Sequence, residues 1–231
     1  MSAGSANAGP RCADLTLILA IDSSSSIDED EFRMQVLGYA AAFADPRVLR
    51  ALSDAGTVDV ASVFWADSAF PPLVTEWTRI SSEEDAEALV DSFLMHQRGA
   101  FGETDLGIGL MAALDLIEAP DQCGARTVVN VSGDGRATYS NRREARTSVA
   151  EARARAESMG VTVNGLAIVN EEPAVAEYYR TQVITGPGSF VIEAQDFRSF
   201  GEAIVQKLER EIRPQVSASL DNRLLCCNDS K

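Results

Sequence analysis

Asp22, Ser24 and Ser26 alternate in the stretch LTLILAIDSSSSID (15–28), Thr104 sits in GETDLGIGL, and Asp134 sits in VVNVSGDG. All five side chains offer oxygen, the donor that hard divalent cations take. A hydroxyl can give a lone pair to a metal while donating its hydrogen to a neighbouring carboxylate. In a loop leaving a strand, alternate residues turn to the same side, so Asp22, Ser24 and Ser26 can converge on one point. Ser23 and Ser25 would then face elsewhere and cap the helix that follows. Gly133 and Gly135 flank Asp134 and permit close backbone approach.

These residues need a scaffold that brings distant parts of the chain to one edge. Strand-like apolar runs occupy 15–21, 58–66, 126–132, 161–169 and 189–194, and 72–80 reads as a short edge strand with its prolines at the start. Between them lie helix-like patterns at 28–45, 81–97, 104–119, 141–160, 173–184 and 196–212. The pattern at 141–160 opens on Asn141 and Glu144, spaced as a capping box, and stops at Gly160. Such alternation predicts an α/β domain with a mostly parallel sheet and helices on both faces. In such sheets ligands bind beyond the carboxyl ends of the strands, where the strand order reverses. Asp22 and Asp134 follow strands and Thr104 precedes a helix, so all stand where that rule places a ligand. Nothing in the middle reads as a linker, which gives one domain over 14–213 with tails at 1–13 and 214–231.

At this point the chain resembles a known family. DSSSS (22–26) fits the D-x-S-x-S signature of von Willebrand factor type A (vWA) domains. Thr104 and Asp134 fit the two later elements of their metal-ion-dependent adhesion site, in the same order. DEDEFRMQVLGYAAAF, VNVSGDG, GVTVNGLAIV and YYRTQVITGPGSFV are similar to a bacterial group of stand-alone domains of this type, DUF1194-like and described only as of unknown function. The resemblance implies a vWA fold: a Rossmann-like, doubly wound sheet, mostly parallel, with one short antiparallel edge strand. It implies that Ser24, Ser26 and Thr104 coordinate an ion directly, and that Asp22 and Asp134 hold it largely through water. The usual ion would be Mg²⁺, with Mn²⁺ or Ca²⁺ as alternatives. Two serines and a threonine fill half of an octahedral shell, water takes the rest, and a water position invites an acidic group from a protein or peptide partner. The implied function is a metal-dependent, adhesion-type binding module, and an enzyme is not expected.

The bulk properties narrow the field. The 231 residues carry 35 acidic and 20 basic side chains, a net charge of −15, which is the wrong sign for phosphate neutralisation and argues against nucleic acid as a partner. No apolar run approaches the ~18 residues of a membrane span. The opening MSAGSANAGPRCA lacks the apolar segment of a signal peptide and reads as a trimmed N-terminus of an exported chain. His96 is the single histidine and reads as an ordinary surface residue, which disfavours Ser-His and Cys-His catalysis. The competing reading is a metal-dependent phosphatase or hydrolase of the haloacid-dehalogenase type with Asp22 as nucleophile. Those enzymes need a second acid two residues on, where this chain has Ser24, and a phosphate-steadying lysine, where it has only Lys207 and Lys231. GIGLMA (107–112) mimics a dinucleotide fingerprint, but glycines letting a helix lie close on the sheet explain it better. Asn130 begins an N-x-S match in mid-strand, an improper place for a glycan.

Cys12 lies ten residues before Asp22, and Cys123 eleven before Asp134. If the two aspartates end adjacent parallel strands, both cysteines stand near the opposite edge of the sheet. A Cys12–Cys123 disulfide and an extracytoplasmic, oxidising location form one reading; two free thiols in a cytosolic protein form the other. Cys226 and Cys227 are adjacent in the C-terminal tail. The sequence does not set the oligomeric state.

Overall fold

The computed structural model describes residues 12–119, 122–138 and 148–214. Five strands run parallel: β1 (Leu15–Asp22), β2 (Val58–Trp65), β5 (Thr127–Gly133), β6 (Thr162–Ile168) and β7 (Val191–Ala194). Their order is β2-β1-β5-β6-β7. Two short strands, β3 (Leu73–Val74) and β4 (Thr78–Ile80), pair antiparallel with the outer side of β2. The expected edge strand over 72–80 is thus cut into two pieces. Between them Thr75 turns inward, donating its N–H to the Ser62 carbonyl and accepting the Ser62 N–H on its hydroxyl. β1 pairs with β2 on one side and β5 on the other, so the order reverses across β1 and β5.

Every residue of β1 is buried, and its two faces feed two separate cores. Leu15, Leu17, Leu19 and Ile21 pack against α1 (Glu29–Phe43), α2 (Pro46–Ala55), α3 (Glu83–Leu94) and α7 (Phe200–Ile212). Ile18 and Ala20 pack against α4 (Leu106–Ile117), α5 (Val149–Ser158) and the segment around α6 (Val175–Tyr178). A leucine taken fully out of water is worth roughly 1.5–3 kcal/mol, so this strand alone anchors both layers.

α1 starts on Asp28, whose carboxylate accepts the Glu31 N–H at 2.8 Å while Glu31 accepts the Asp28 N–H at 2.9 Å. This reciprocal cap corrects the expectation that Ser23 and Ser25 cap the helix. The structure adds α2 to the expected elements, with Asp45 as its cap and Pro46 in its first turn. In α5 the cap is Ser148 with Glu151, and the proposed Asn141–Glu144 box lies outside the described residues. The helix expected over 173–184 is one α-turn followed by a π-helical segment, Tyr179–Val183. Gly109 does let α4 lie on the sheet, because a Cβ there would sit 2.4 Å from the Trp65 ring.

At the amino edge of the sheet Cys12 and Cys123 are joined in a disulfide, with Cα atoms 4.7 Å apart. The Ala13 N–H donates to the Cys123 carbonyl at 3.0 Å, tying the chain start to the approach to β5. The bridge closes a span of 111 residues. A loop of that length is expected to contribute about 2–5 kcal/mol. The Cys12→Ser, Cys123→Ser double variant should therefore melt at a markedly lower temperature by calorimetry while keeping the native circular dichroism spectrum.

Candidate functional site at the carboxyl edge

The reversal of strand order puts Asp22, the last residue of β1, beside the end of β5. The Asp22 side chain then folds its own loop: Oδ1 accepts the Ser24 N–H at 2.8 Å, a turn that aspartate forms readily. The Ser23 N–H donates to the Trp65 carbonyl at 2.8 Å and continues the β1–β2 pairing one step. Arg98 fixes the outside of the loop by donating to the Ser23 and Ser24 carbonyls at 2.9 and 2.7 Å. Ser25 exchanges two bonds with Gly102, its N–H donating to the glycine carbonyl and its Oγ accepting the glycine N–H. That exchange, rather than a helix cap, is the role of Ser25. It docks the loop carrying Thr104 beside the serines.

The five expected residues are brought together. Thr104 Oγ1 donates to Ser24 Oγ at 3.2 Å, Ser24 Oγ lies 3.1 Å from Ser26 Oγ, and Ser26 Oγ donates to Asp134 Oδ1 at 2.8 Å. Asp22, Ser24, Thr104 and Asp134 are buried, and Ser26 is on the exposed side. Asp22 Oδ2 is buried without a hydrogen-bond partner. Neighbouring ligands of an octahedral ion with bonds of ~2.0–2.1 Å stand about 3 Å apart. The run from Thr104 to Asp134 has that spacing, and the unpartnered oxygen is an acceptor awaiting a donor or a cation, so these residues fit a small dication. Among the described residues no group of three or more His, Cys, Asp or Glu side chains could hold a metal; the group at this edge combines two carboxylates with three hydroxyls.

Burial raises the Asp22 pKa from an ordinary 3.8 to about 7, and repulsion from Asp134 adds to it. Asp134 is raised as well, again chiefly by burial, while its bond from Ser26 pulls the other way. The pair therefore shares one poorly solvated pocket in which two negative charges are disfavoured unless a cation joins them.

Tyr179 belongs to the site although its local sequence gives no sign of it. Its hydroxyl is buried and unpartnered, and it lies 2.7 Å from where a Cβ on Gly133 would be, as does Asp22 Oδ2. Gly133 is required here because any side chain would strike both groups. A Cβ on Gly135 would make only an ordinary contact, 3.9 Å from Thr104 Oγ1, so no such duty falls on it. The π-helical segment delivers the tyrosine, a local irregularity often found at functional sites.

Behind the site runs a buried polar chain. Gln35 Nε2 donates to the Asp22 carbonyl at 3.0 Å, Ser132 Oγ donates to Gln35 Oε1 at 3.2 Å, and the Tyr39 hydroxyl donates to Ser132 Oγ at 3.1 Å. Tyr39 also reaches Asn130 Oδ1 at 3.4 Å, Asn130 Nδ2 donates to Glu211 at 2.7 Å, and Lys207 Nζ donates to Glu211 at 2.6 Å. Asn130 is wholly buried within β5, which excludes a glycan there in the folded protein. His96 is not an ordinary surface residue. Its ring stacks on Phe64 with centroids 3.6 Å apart, and burial lowers its pKa.

A family profile described as "Protein of unknown function (DUF1194)" matches residues 11–216. No curated protein matches the sequence. Among solved structures, the pilus adhesin SpaC from Lactobacillus rhamnosus GG is similar with a TM-score of 0.60 and 13% identity, over 90% of this chain and 31% of SpaC. Proximal thread matrix protein 1 from the mussel byssus, with a zinc-occupied metal-ion-dependent adhesion site, is similar with a TM-score of 0.55 and 15% identity, over 87% of this chain and 46% of that one. The vWF domain of the type V pili tip protein Mfa5 from Porphyromonas gingivalis gives a TM-score of 0.58 and 11% identity, over 90% of this chain and 99% of that domain. The chain thus spans about a third of SpaC and about half of the mussel protein. At these identities the likeness establishes the fold, which is that of a vWA domain.

The raised pKa of Asp22 has a consequence for the metal-free protein. Between about 4 and about 7 the folded chain keeps a proton that the unfolded chain has released. The Asp22 contribution is therefore fully present below pH 4 and is lost as pH rises through 7, at up to about 1.4 kcal/mol per pH unit. Chemical denaturation in chelator should show stability falling over this window, and Asp22→Asn should flatten the fall. An unchanged slope in the variant would assign the effect to other groups.

Proposed function

The chain belongs to the DUF1194 family, whose description assigns no function, and we propose from the geometry of its site that it is a metal-dependent binding module. In this reading a divalent cation, Mg²⁺ first and Mn²⁺ or Ca²⁺ as alternatives, is held by Asp22, Ser24, Ser26, Thr104 and Asp134. The hydroxyls of Ser24, Ser26 and Thr104 contact it directly, and the two carboxylates hold it largely through water. The partner is a protein or peptide that presents an acidic group to the remaining position. The observation carrying this reading is the buried, unpartnered Asp22 Oδ2 beside a run of oxygens at ion-shell spacing. The zinc-occupied site of the mussel protein supports divalent binding on this fold, and the adhesin neighbours support a role in attachment. An extracytoplasmic location is part of the proposal and is supported by the Cys12–Cys123 bridge.

Each residue has a distinct duty in this scheme. The cation supplies the positive charge that the Asp22–Asp134 pair lacks. Ser26 is the exposed member of the run and therefore the ligand nearest the incoming partner. Arg98 and the Ser25–Gly102 exchange hold the two ligand loops in register, so that little ordering remains to be done when the ion arrives.

Asp22→Ala should abolish Mg²⁺ binding in calorimetry and partner binding together. Partner affinity that survives both this variant and chelation would sink the metal-bridge reading. Mg²⁺ affinity should also strengthen as pH rises through about 7, where Asp22 ionises.

The serine row gives a position-by-position check. Ser24→Ala and Ser26→Ala should each weaken Mg²⁺ binding by at least tenfold. Ser23→Ala removes a hydroxyl that has no partner, and Ser25→Ala removes one hydrogen bond worth about 1 kcal/mol, so both should leave the metal affinity within a few-fold of the parent.

A further inference from the structure

Two buried polar atoms without partners share one space beside Gly133. One is Asp22 Oδ2 at the end of β1, and the other is the Tyr179 hydroxyl at the start of the π-helical segment. Each lies 2.7 Å from the point where a Cβ on Gly133 would stand, so the two oxygens are at most twice that distance apart. A small rotation or one shared water closes such a gap.

Two glycines on adjacent strands make room for this approach. A Cβ on Gly165 of β6 would sit 2.8 Å from Tyr179 Cδ2, and one on Gly133 of β5 would strike the hydroxyl. The ring therefore rests on β6 while its oxygen reaches the end of β5, where Asp22 stands. Tyr179 and Asp22 both have no exposure, so neither side chain can turn to bulk water. Tyr39, the other wholly buried tyrosine among the described residues, shows the usual arrangement, with its hydroxyl donating to Ser132 Oγ at 3.1 Å. A buried hydroxyl normally has such a bond, because leaving it unmade costs stability. Tyr179 keeps its proton, since burial holds its pKa well above the ordinary 10. A phenol is then a donor, and each oxygen of an ionised carboxylate has more than one lone pair. Asp22 Oδ2 can thus take the tyrosine hydrogen and still face an ion or its water.

We propose that Tyr179 is a positioning residue for the cation: with a divalent ion bound, its hydroxyl donates to Asp22 Oδ2, directly or through one water, while the Ser24 N–H holds Oδ1. This rests on the reading that a metal occupies the site. The bond belongs to the ion-bound state, so Tyr179 serves binding of the ion and not folding of the chain. Removing such a group from behind a metal ligand typically costs about 10–100-fold in metal affinity.

Tyr179→Phe keeps the ring and deletes only the oxygen. In calorimetry on the full chain, the variant should bind Mg²⁺ about tenfold more weakly than the parent. In chelator, chemical denaturation should give it a stability equal to the parent's or higher, because the deleted oxygen had no bond to lose. In the near-ultraviolet difference spectrum, Mg²⁺ should give the parent a tyrosine band that Tyr179→Phe lacks.

Mg²⁺ affinity within about twofold of the parent would overturn the inference, leave the metal site standing and make Tyr179 a packing residue. Weaker Mg²⁺ binding accompanied by lost stability in chelator overturns it too, because the hydroxyl would then support the metal-free fold. The same tyrosine band in parent and variant also overturns it. Absence of Mg²⁺ binding by the parent overturns the metal reading and takes this inference with it.

Discussion

A carboxylate buried at the end of the central strand sets the terms for the rest of the molecule. Asp22 has no exposure, one oxygen satisfied by the Ser24 N–H and one left without a partner. An ionised carboxylate in that condition costs several kcal/mol, so the fold must either keep it protonated or bring it a positive charge. The surroundings are arranged so that Asp22 cannot escape to water. Its backbone is pinned in the sheet between β2 and β5, its carbonyl is held by Gln35, and Gly133 leaves space on one side for the carboxylate and the Tyr179 hydroxyl. The Ser24 and Ser26 hydroxyls take their places because the chain turns back over this fixed point. Arg98 and Gly102 clamp the turn from outside.

The same constraint reaches the far end of the molecule. From the Asp22 carbonyl, buried polar groups follow one another through Gln35, Ser132, Tyr39 and Asn130 to Glu211 and Lys207 on α7. The Lys207–Glu211 pair is entirely buried, and burial lowers the lysine pKa to about 8 despite the attraction of Glu211. Such a pair adds little net stability, and because both partners sit on α7 they move together; what an α7 displaced by one turn would lose is the buried Asn130–Glu211 bond. Arg126 completes the constraint by donating to the carbonyls of Glu211 and Ile212 at the last turn of α7. Helix α7 is thus fixed at its end and along its buried face, so the edge of the sheet that carries Asp22 and the helix that covers it form one positioned unit.

Much of this was legible in the sequence, for identifiable reasons. A wholly buried strand ending in an aspartate, followed by alternate hydroxyls, can be read because strand and loop positions translate directly into direction. The same is true of Asp134 after β5, and of the cysteines, whose near-equal offsets from the two aspartates place them together at the opposite edge. What escaped depends on contacts made across the fold. Tyr179, at the start of a π-helical segment, stands with Asp22 around Gly133, while its own neighbourhood in sequence looks like an ordinary amphipathic helix. Ser25 looked like a cap because its true partner, Gly102, is distant in sequence. His96 looked exposed because its stacking partner, Phe64, belongs to another element. Helix α2 begins on Asp45 and Pro46 directly after α1 ends, so the helical pattern expected over 28–45 runs straight into it without a separating loop to mark a second element.

The choice of hydroxyls over further carboxylates follows from charge. In the proposed reading, with Asp22 and Asp134 as the acids in the floor, a dication would bring the centre to neutrality, and the serines and threonine would add lone pairs without adding charge. A third carboxylate among the ligands would hold the ion more tightly and leave it no attraction for anything outside. Further acids nearby, such as Glu103 beside Thr104, would add negative potential around such an ion without joining its shell. Such a field concentrates cations near the site. In the proposed reading, neutral hydroxyls leave a bound dication an attraction for one more acidic ligand from outside.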